Sequence, residues 1–287
     1  MTDLIACAHG TADPRGRRVV HELVRRIARL RPDLPMSLGF VDVDLPALPE
    51  LTGRVVADGT EAVVVPLLLS AGYHVRTDIA GVCGPAVRAA GALGPDPLLA
   101  EILADRLDPR GCDRVVLAAA GSSDSRALLD CELTASLLSS VVGLPVDTGY
   151  VSGAGPRLAD VVRRAGGRVA VATYLLAPGT FADHVRRVAR AAGAVSCSEP
   201  LGADWRIASL ALARYDAVVR SADRDFEPIG VLVTRLSPAP MRAPLEAARE
   251  RRIASRFGDV PSVHGRYARP LVLPGTVSER GRPPGDV

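Results

Sequence analysis

Aromatic residues are scarce in this chain, at 3% of 287 residues, and no long apolar run interrupts it. Proteins that bind single-stranded nucleic acid need aromatic stacking platforms and a clustered basic surface. Here 35 basic residues are mixed with 32 acidic ones, for a net charge of only +3. A membrane-spanning helix needs roughly 18 consecutive apolar residues. The sequence therefore predicts a protein that has neither a nucleic-acid nor a membrane partner.

Cysteine is also sparse. The five cysteines are odd in number and form no Cys-x-x-Cys pair, so the sequence predicts free, reduced thiols and no disulfide framework. The first residues lead into an apolar strand without the basic and apolar regions of a signal peptide. Both features favour a cytoplasmic protein.

Apolar residues make up 48% of the chain, which is ample for a packed core, and the length suggests about two domains. Short apolar runs such as residues 4–8 and 62–69 alternate with longer segments that have helical spacing, for example residues 15–30. Strands that alternate with helices indicate parallel sheets built from right-handed crossovers. The predicted fold class is α/β, with four parallel strands in each of two units.

The two units are copies of one another. His9-Gly10 aligns with Ala120-Gly121 at a spacing of 111 residues, and Gly72 aligns with Gly179 at a spacing of 107. Matches in the same order at nearly constant spacing indicate an internal duplication. We therefore predict tandem lobes at residues 1–108 and 112–221. Residues 222–287, rich in Pro, Gly and Arg towards the end, are predicted to be an appended and partly disordered tail without an assigned function.

The region after the third strand is the least regular part of the first lobe. Asp78 can cap a helix, which we expect to continue to about Ala90. A brief strand near Leu93 and a helix over residues 97–107 then complete the predicted lobe.

Two histidines follow the apolar strands of the first lobe, His9 after the first strand and His74 after the third. With the common strand order 2-1-3-4 these strands are neighbours, and ligands of such sheets bind beyond the carboxyl ends of the strands. Two imidazoles can hold a divalent metal such as Co²⁺, Fe²⁺, Ni²⁺ or Zn²⁺ while leaving coordination positions open. Imidazole also accepts protons near neutral pH. These properties suit metal insertion into a tetrapyrrole, from which pyrrole protons must leave.

Other side chains near these strand ends are candidates for substrate contacts. Asp42 and Asp44 follow the second strand, and we expect Asp44 to contact substrate, although both carboxylates are equally consistent with solvated turns. Four arginines are candidates for pairing with substrate carboxylates, namely Arg15, Arg17, Arg18 and Arg76.

The second copy lacks the histidines. It has Ala120 where the first has His9, and Phe181 where the first has His74. One lobe can therefore carry the chemistry while Phe181 offers an apolar surface to a macrocycle. The alternative is that the second copy only provides packing. His184, near the start of a helix in the second copy, is a further residue that can face the cleft.

Three segments, residues 8–11, 40–46 and 66–79, resemble the sirohydrochlorin chelatases, which are class II chelatases. The resemblance covers roughly residues 3–220 and implies two flavodoxin-like lobes. It implies a lyase that inserts Co²⁺ or Fe²⁺ into sirohydrochlorin without ATP, for siroheme or cobalamin synthesis. By motif match His9 is the proton acceptor and a metal ligand and His74 is the second ligand. Substrate contacts come from Leu69, Ser70, Ala71, Gly72 and Tyr73.

The chain departs from the family pattern at two places. Thr11-Ala12 stands where many members have serine followed by a basic residue, and Leu45 stands where an acidic residue often precedes the proline. No Cys-rich or His-rich extension is present, so an iron–sulfur cluster is not expected. The resemblance also implies that no nucleotide cofactor is used. Because short members dimerise to build the cleft, the fused repeat implies that a monomer can suffice.

Three other functions are compatible with part of the sequence pattern. The main alternative is a non-catalytic carrier of metal or tetrapyrrole, which would show affinity without turnover. A histidine phosphatase needs an arginine directly before the histidine, and this chain has Ala8. A phosphate-binding flavodoxin-like domain is disfavoured by Asp13, whose charge would repel phosphate.

Overall fold

The computed structural model describes residues 2–72 and 74–222, and the two sequence repeats within this range pack against each other. The predicted tail lies outside the described residues, except for Ala222. Within the described residues, no helix has the length and apolar character needed to cross a lipid bilayer.

The first repeat contains four strands, three α-helices and one short π-helix. In chain order these are β1 (Asp3–Ala8), α1 (Pro14–Leu30), β2 (Met36–Phe40), α2 (Leu48–Ala57), β3 (Ala62–Pro66), the π-helix (Val75–Ile79), β4 (Val87–Ala89) and α3 (Pro97–Arg106).

The second repeat has the same order of strands and helices, with a regular helix in place of the π-helix. Its elements are β5 (Arg114–Ala119), α4 (Ser125–Val142), β6 (Val146–Tyr150), α5 (Leu158–Ala165), β7 (Val169–Tyr174), α6 (Thr180–Ala191), β8 (Ser196–Cys197) and α7 (Trp205–Ala222).

Each repeat forms a four-stranded parallel sheet, with the orders β2-β1-β3-β4 and β6-β5-β7-β8. The registers match across the duplication, because Asp3 lies opposite Ala62 in the first sheet and Arg114 lies opposite Val169 in the second. These pairs repeat the spacings of 111 and 107 residues found in the sequence. The predicted fold of two tandem parallel lobes is confirmed.

The first helices of the two repeats begin in the same way. Asp13 and Asp124 adopt extended backbone conformations at the N-caps of α1 and α4, and each carboxylate accepts a hydrogen bond from a backbone N–H of the first turn. Such caps satisfy amides that a helix end leaves without partners. Both helices therefore start at a fixed position, directly after the loop that follows the central strand.

The predicted helix from Asp78 to about Ala90 is wrong. The helical segment ends at Gly81, and residues 87–89 form β4 instead of the strand expected near Leu93. Proline disfavours helical backbone in the residue before it, and Pro85 directly follows Gly84, so a helix cannot pass this point easily. Leu93 is fully buried in a loop, and its N–H donates to Leu68 O at 2.8 Å.

The last helices of the two repeats are exchanged between the lobes. Helix α7 belongs to the second repeat in sequence but packs on α1 and β3 of the first, and Tyr215 Oη on α7 donates a hydrogen bond to Thr2 O. Helix α3 belongs to the first repeat but packs on α4 and β7 of the second. The sequence boundary at residues 108–112 therefore separates two copies of the repeat but does not separate two spatial domains.

This exchange gives the two lobes a common core. One face of each sheet contributes to a single apolar cluster, to which β3 supplies Val63 and Val65. Val64 points to the other face, where a separate cluster packs under α2, as expected for alternating side chains on a strand. The shared core fixes the carboxyl ends of β1 and β3 relative to the second lobe.

Candidate metal and substrate site

His9 lies on the loop between β1 and α1, and a glycine shapes that loop. Gly10 has a φ of 96°, and a Cβ atom there would lie 2.0 Å from Asp42 O. Only glycine fits this close approach. The loop after β2 is thereby held against the His9 loop, and Asp42 N–H donates to His9 O at 3.0 Å. The His9 ring is exposed, with Nδ1 3.3 Å from Gly10 O.

His74 is oriented by a carboxylate one helical turn further on. Its Nδ1 lies 2.6 Å from Asp78 Oδ2, and both side chains are about one-third exposed. Residues four apart lie on the same face of a helix, which explains the contact. A carboxylate at one ring nitrogen directs the other nitrogen outward and makes it a better ligand.

The two imidazoles meet across the carboxyl ends of β1 and β3. His9 Nε2 and His74 Nε2 are 3.1 Å apart, and the rings stand edge to face with centroids separated by 4.6 Å. The predicted juxtaposition of these histidines is confirmed. When each ring carries its proton on Nδ1 and donates it to the adjacent oxygen, both Nε2 atoms are unprotonated. Their lone pairs then point into the same space, and a cation bound between them removes the repulsion.

The separation of the ring nitrogens suits a metal ion. Two nitrogens at about 2.05 Å from one metal are about 2.9 Å apart at a right angle and about 3.3 Å apart at the tetrahedral angle. The observed 3.1 Å lies between these values. Over residues 2–72 and 74–222, no group of three or more His, Cys, Asp or Glu side chains is arranged to hold a metal ion.

Asp44 is predicted to contact substrate, and in the structure its carboxylate bonds to two residues of the same lobe. One carboxylate oxygen accepts the backbone N–H of Thr11 at 2.8 Å, and the other lies 2.7 Å from Arg17 Nη2. The side chain is only 10% exposed. Asp44 therefore ties the loop after β2 to the His9 loop, and its two oxygens already have partners inside the protein.

Two of the four candidate arginines also have partners inside the protein. Arg17 pairs with Asp44, and Arg15 bonds both Asp13 and Asp183. The hydrogen bonds from Arg15 lower the pKa of Asp13 to about 2. Arg15 thus connects the first lobe to α6 of the second. The side chain of Arg76 and all of Tyr73 lie outside the described residues.

The predicted substrate segment Leu69–Gly72 runs between β3 and His74, and second-lobe side chains hold its backbone. Tyr174 Oη donates to Leu69 O at 2.8 Å, and Asp130 Oδ2 accepts the N–H of Ala71 at 2.8 Å. The sequence pattern did not predict either contact. The sequence does contain a signal for them, because Asp130 and Tyr174 occupy positions that are apolar in the first repeat.

Phe181 lies in the first turn of α6 and is 51% exposed. The loop before it contacts the first lobe, since a Cβ on Gly179 would lie 3.6 Å from Asp13 Cβ. Two residues further on, Asp183 binds Arg15. The nearby His184 is half-buried, and its Nδ1 is 2.6 Å from Arg187 Nη2. Phe181 is therefore an exposed aromatic ring close to where the two lobes meet.

The fold and the site together define a class of protein, in which two duplicated parallel lobes present an imidazole pair at the ends of their strands. Solved chelatases share the fold of two parallel lobes. SirB from Bacillus subtilis, determined with Fe³⁺, superimposes with a TM-score of 0.68 at 20% identity, covering 79% of this chain and 99% of that one. CbiX, described as the terminal enzyme for siroheme biosynthesis in denitrifying bacteria, gives 0.57 at 20% identity, covering 75% and 98%. At this identity the likeness shows the fold.

A family model settles the relationship in sequence. The model, CbiX, matches the chain twice, over residues 3–110 and 114–218, and the chain belongs to this family of sirohydrochlorin chelatases. A sirohydrochlorin cobaltochelatase from Methanothermobacter thermautotrophicus is 28% identical over 128 residues, which cover 36% of this chain and 89% of that relative.

Proposed function

We propose that this protein is a sirohydrochlorin chelatase that inserts a divalent metal, Co²⁺ or Fe²⁺, into sirohydrochlorin without ATP. The observation that carries the proposal is the 3.1 Å approach of His9 Nε2 to His74 Nε2 at the ends of adjacent strands. Membership of the CbiX family and the resemblance to a cobaltochelatase support the same activity.

The two histidines have different surroundings, which suit different roles. The Asp78 carboxylate holds His74 at its Nδ1, so His74 is suited to keep its Nε2 lone pair on the metal. The exposed His9 ring has a different neighbour, because its Nδ1 lies 3.3 Å from the Gly10 carbonyl oxygen. His9 is therefore the ligand that also accepts a pyrrole proton as the metal enters the macrocycle.

A two-ligand site leaves most of the coordination sphere to the substrate. In a closed structural site four protein ligands retain the metal, whereas two ligands allow it to be transferred to four pyrrole nitrogens. Imidazole binds Co²⁺, Fe²⁺ and Ni²⁺, so the ligands alone do not choose among these metals. The choice between siroheme and cobalamin synthesis follows from the metal that is inserted.

The macrocycle is proposed to bind against the segment Leu69–Tyr73, with Phe181 providing an apolar surface from the second lobe. Removing apolar area from water contributes roughly 25 cal/mol per Å², so a flat macrocycle gains most of its affinity from such contacts. Arg76 is proposed to pair with a peripheral carboxylate. Asp44 is proposed to support the His9 loop, because its two carboxylate oxygens already bond to Thr11 and Arg17.

The test is a comparison of metal insertion rates in the absence of ATP. Purified protein is mixed with sirohydrochlorin and either Co²⁺, Fe²⁺ or Ni²⁺, and the absorption of the pigment is followed over time. We expect the wild-type rate to exceed that of the protein-free mixture, and His9→Ala and His74→Ala to reduce the excess at least 100-fold. The exposed histidine of α1 supplies the control, since His21→Ala should retain the full rate.

Two results would overturn the proposal. If the rates with His9→Ala and His74→Ala equal that of the wild type, the imidazole pair is not the site of insertion. If wild-type protein binds metal or pigment but never exceeds the protein-free rate, the protein is a carrier and not an enzyme.

A further inference from the structure

Two polar side chains of the second lobe are buried against the segment that leads to His74. Tyr174, at the end of β7, is 2% exposed, and its hydroxyl donates to Leu69 O at 2.8 Å. Thr134 on α4 is fully buried, with its Oγ1 3.3 Å from that hydroxyl. One turn earlier on α4, Asp130 accepts the N–H of Ala71 at 2.8 Å. The backbone of residues 69–71 is thus held at two points from the opposite lobe.

The duplication supplies an internal reference for these residues. The positions equivalent to Asp130, Thr134 and Tyr174 in the first repeat are Val19, Leu23 and Leu67. The residue equivalent to Ala71 is Pro178, which has no N–H to donate. The same packing position in the fold is therefore filled by apolar side chains when the adjacent loop carries no histidine.

Placing polar groups at these positions is unfavourable for packing alone. Tyr174 is 2% exposed and Asp130 is half-buried, and this loss of solvation raises the pKa of both groups. A buried polar group costs free energy unless it makes a hydrogen bond. Leucine and valine fill the equivalent positions of the first repeat without this cost, so the polar set is not needed to pack the helix onto the sheet.

We infer that Asp130 and Tyr174 are positioning residues, which hold the backbone of Leu69–Ala71 so that His74 Nε2 meets His9 Nε2. Thr134 lies beside the Tyr174 hydroxyl, and its own hydroxyl donates to Asp130 O at 2.9 Å. The second lobe then has a defined part in the site although it has neither histidine. This inference rests on the proposed function for its purpose, but its geometry can be tested without sirohydrochlorin.

The experiment measures three properties of the full-length chain: amide hydrogen exchange at Ala71, the NMR signals of the His74 ring, and the affinity for Co²⁺ alone. For Asp130→Ala and Tyr174→Phe we expect faster exchange at Ala71, shifted His74 signals, and Co²⁺ affinity reduced about two- to tenfold, the usual range for one lost hydrogen bond. Asp130→Asn keeps an acceptor oxygen and should restore the wild-type values.

A second buried tyrosine of the same sheet provides the matched control. Tyr150 is also 2% exposed, and its hydroxyl lies 3.4 Å from Leu128 O of its own lobe. Tyr150→Phe should leave the His74 signals and the Co²⁺ affinity unchanged. A similar loss in this variant would show that removing any buried hydroxyl loosens the fold, which would overturn the inference.

Other results would also bear on the positioning role of Asp130 and Tyr174. Unchanged Co²⁺ affinity and His74 signals in both Asp130→Ala and Tyr174→Phe would reduce these residues to ordinary packing. A loss in Asp130→Asn as large as in Asp130→Ala would show that an acceptor oxygen at this position is not what holds Ala71, which would overturn the role assigned to Asp130. Failure of the chelatase proposal has a different signature, in which wild-type protein binds Co²⁺ through His74 but shows no metal insertion.

Discussion

The two lobes share a backbone plan but differ in the side chains at the carboxyl ends of their sheets. Strand order, register and helix caps repeat closely. The chemical groups do not repeat, because His9, His74 and Asp78 of the first lobe correspond to Ala120, Phe181 and Val185 of the second. Val185 is fully buried, whereas Asp78 is about one-third exposed beside His74.

This difference separates what the fold requires from what the site requires. Features present in both lobes, such as the glycine after the central strand and the aspartate cap, are needed to build the loops. His9, His74 and Asp78 are present in only one lobe, so the shared loops can be built without them, and we assign them to the chemistry. A fold determines where a site lies, and the side chains placed there determine the function.

The loop after the second strand of each repeat gives a comparison with a large expected effect. Val43 has a φ of 62°, and the equivalent Gly153 has a φ of 66°. A Cβ at Gly153 would lie 2.7–2.9 Å from backbone atoms of Ser122. We expect Gly153→Val to lower the free energy of unfolding by about 2–5 kcal/mol, through left-handed strain and overpacking together. Urea denaturation measures this change.

A glycine with open surroundings separates these two contributions. Gly143 has a φ of 69°, and a Cβ there would meet nothing within 4 Å. Gly143→Val should therefore cost only about 1–2 kcal/mol, the strain of a left-handed residue. If both variants lose the same stability, the close approach to Ser122 is not a constraint on the second lobe.

The Asp78–His74 contact predicts the next largest effect. Asp78→Ala removes the carboxylate that orients the His74 ring, and such outer partners of metal ligands typically change metal affinity 10- to 100-fold. We expect Co²⁺ affinity, measured by calorimetric titration, to fall within that range. Asp160→Ala, at an exposed position of α5, should leave the affinity unchanged. Equal affinities for Asp78→Ala and wild type would contradict the role assigned to this carboxylate.

The smallest expected effect is a gain in stability. Val43 is 57% exposed and holds a left-handed conformation that a β-branched residue rarely adopts. Val43→Gly should raise the free energy of unfolding by about 0.5–1 kcal/mol, because relief of strain exceeds the added flexibility of the unfolded chain. Val56→Gly, at an exposed helical position, should instead destabilise the protein. A loss of stability in both variants would show that Val43 is unstrained.

Much of the fold could be predicted from the sequence. Buried parallel strands are continuous apolar runs, and helices show their own period, so the order of elements follows from local pattern. The repeat spacing then predicted the two lobes. The prediction was wrong around β4, where a short strand of three residues has too little pattern to be separated from the helix expected over residues 78–90.

The site was predicted in part. Topology brought His9 and His74 together, because adjacent parallel strands end at the same edge. It did not indicate that Asp44 would pair with Arg17 and Thr11, nor that Asp78 would orient His74 instead of serving only as a helix cap. These are contacts between side chains whose directions depend on loop conformation, which a single sequence does not specify.

The sequence by itself determined the class of fold, the duplication and the two strand ends that bear imidazoles, since all three depend on local pattern and repeat spacing. The tertiary structure alone decided that α3 and α7 exchange lobes, and that Asp130 and Tyr174 reach the segment before His74. The reason is physical: these contacts join residues 59 to 105 positions apart in the chain. Only packing around a shared core brings such distant residues together.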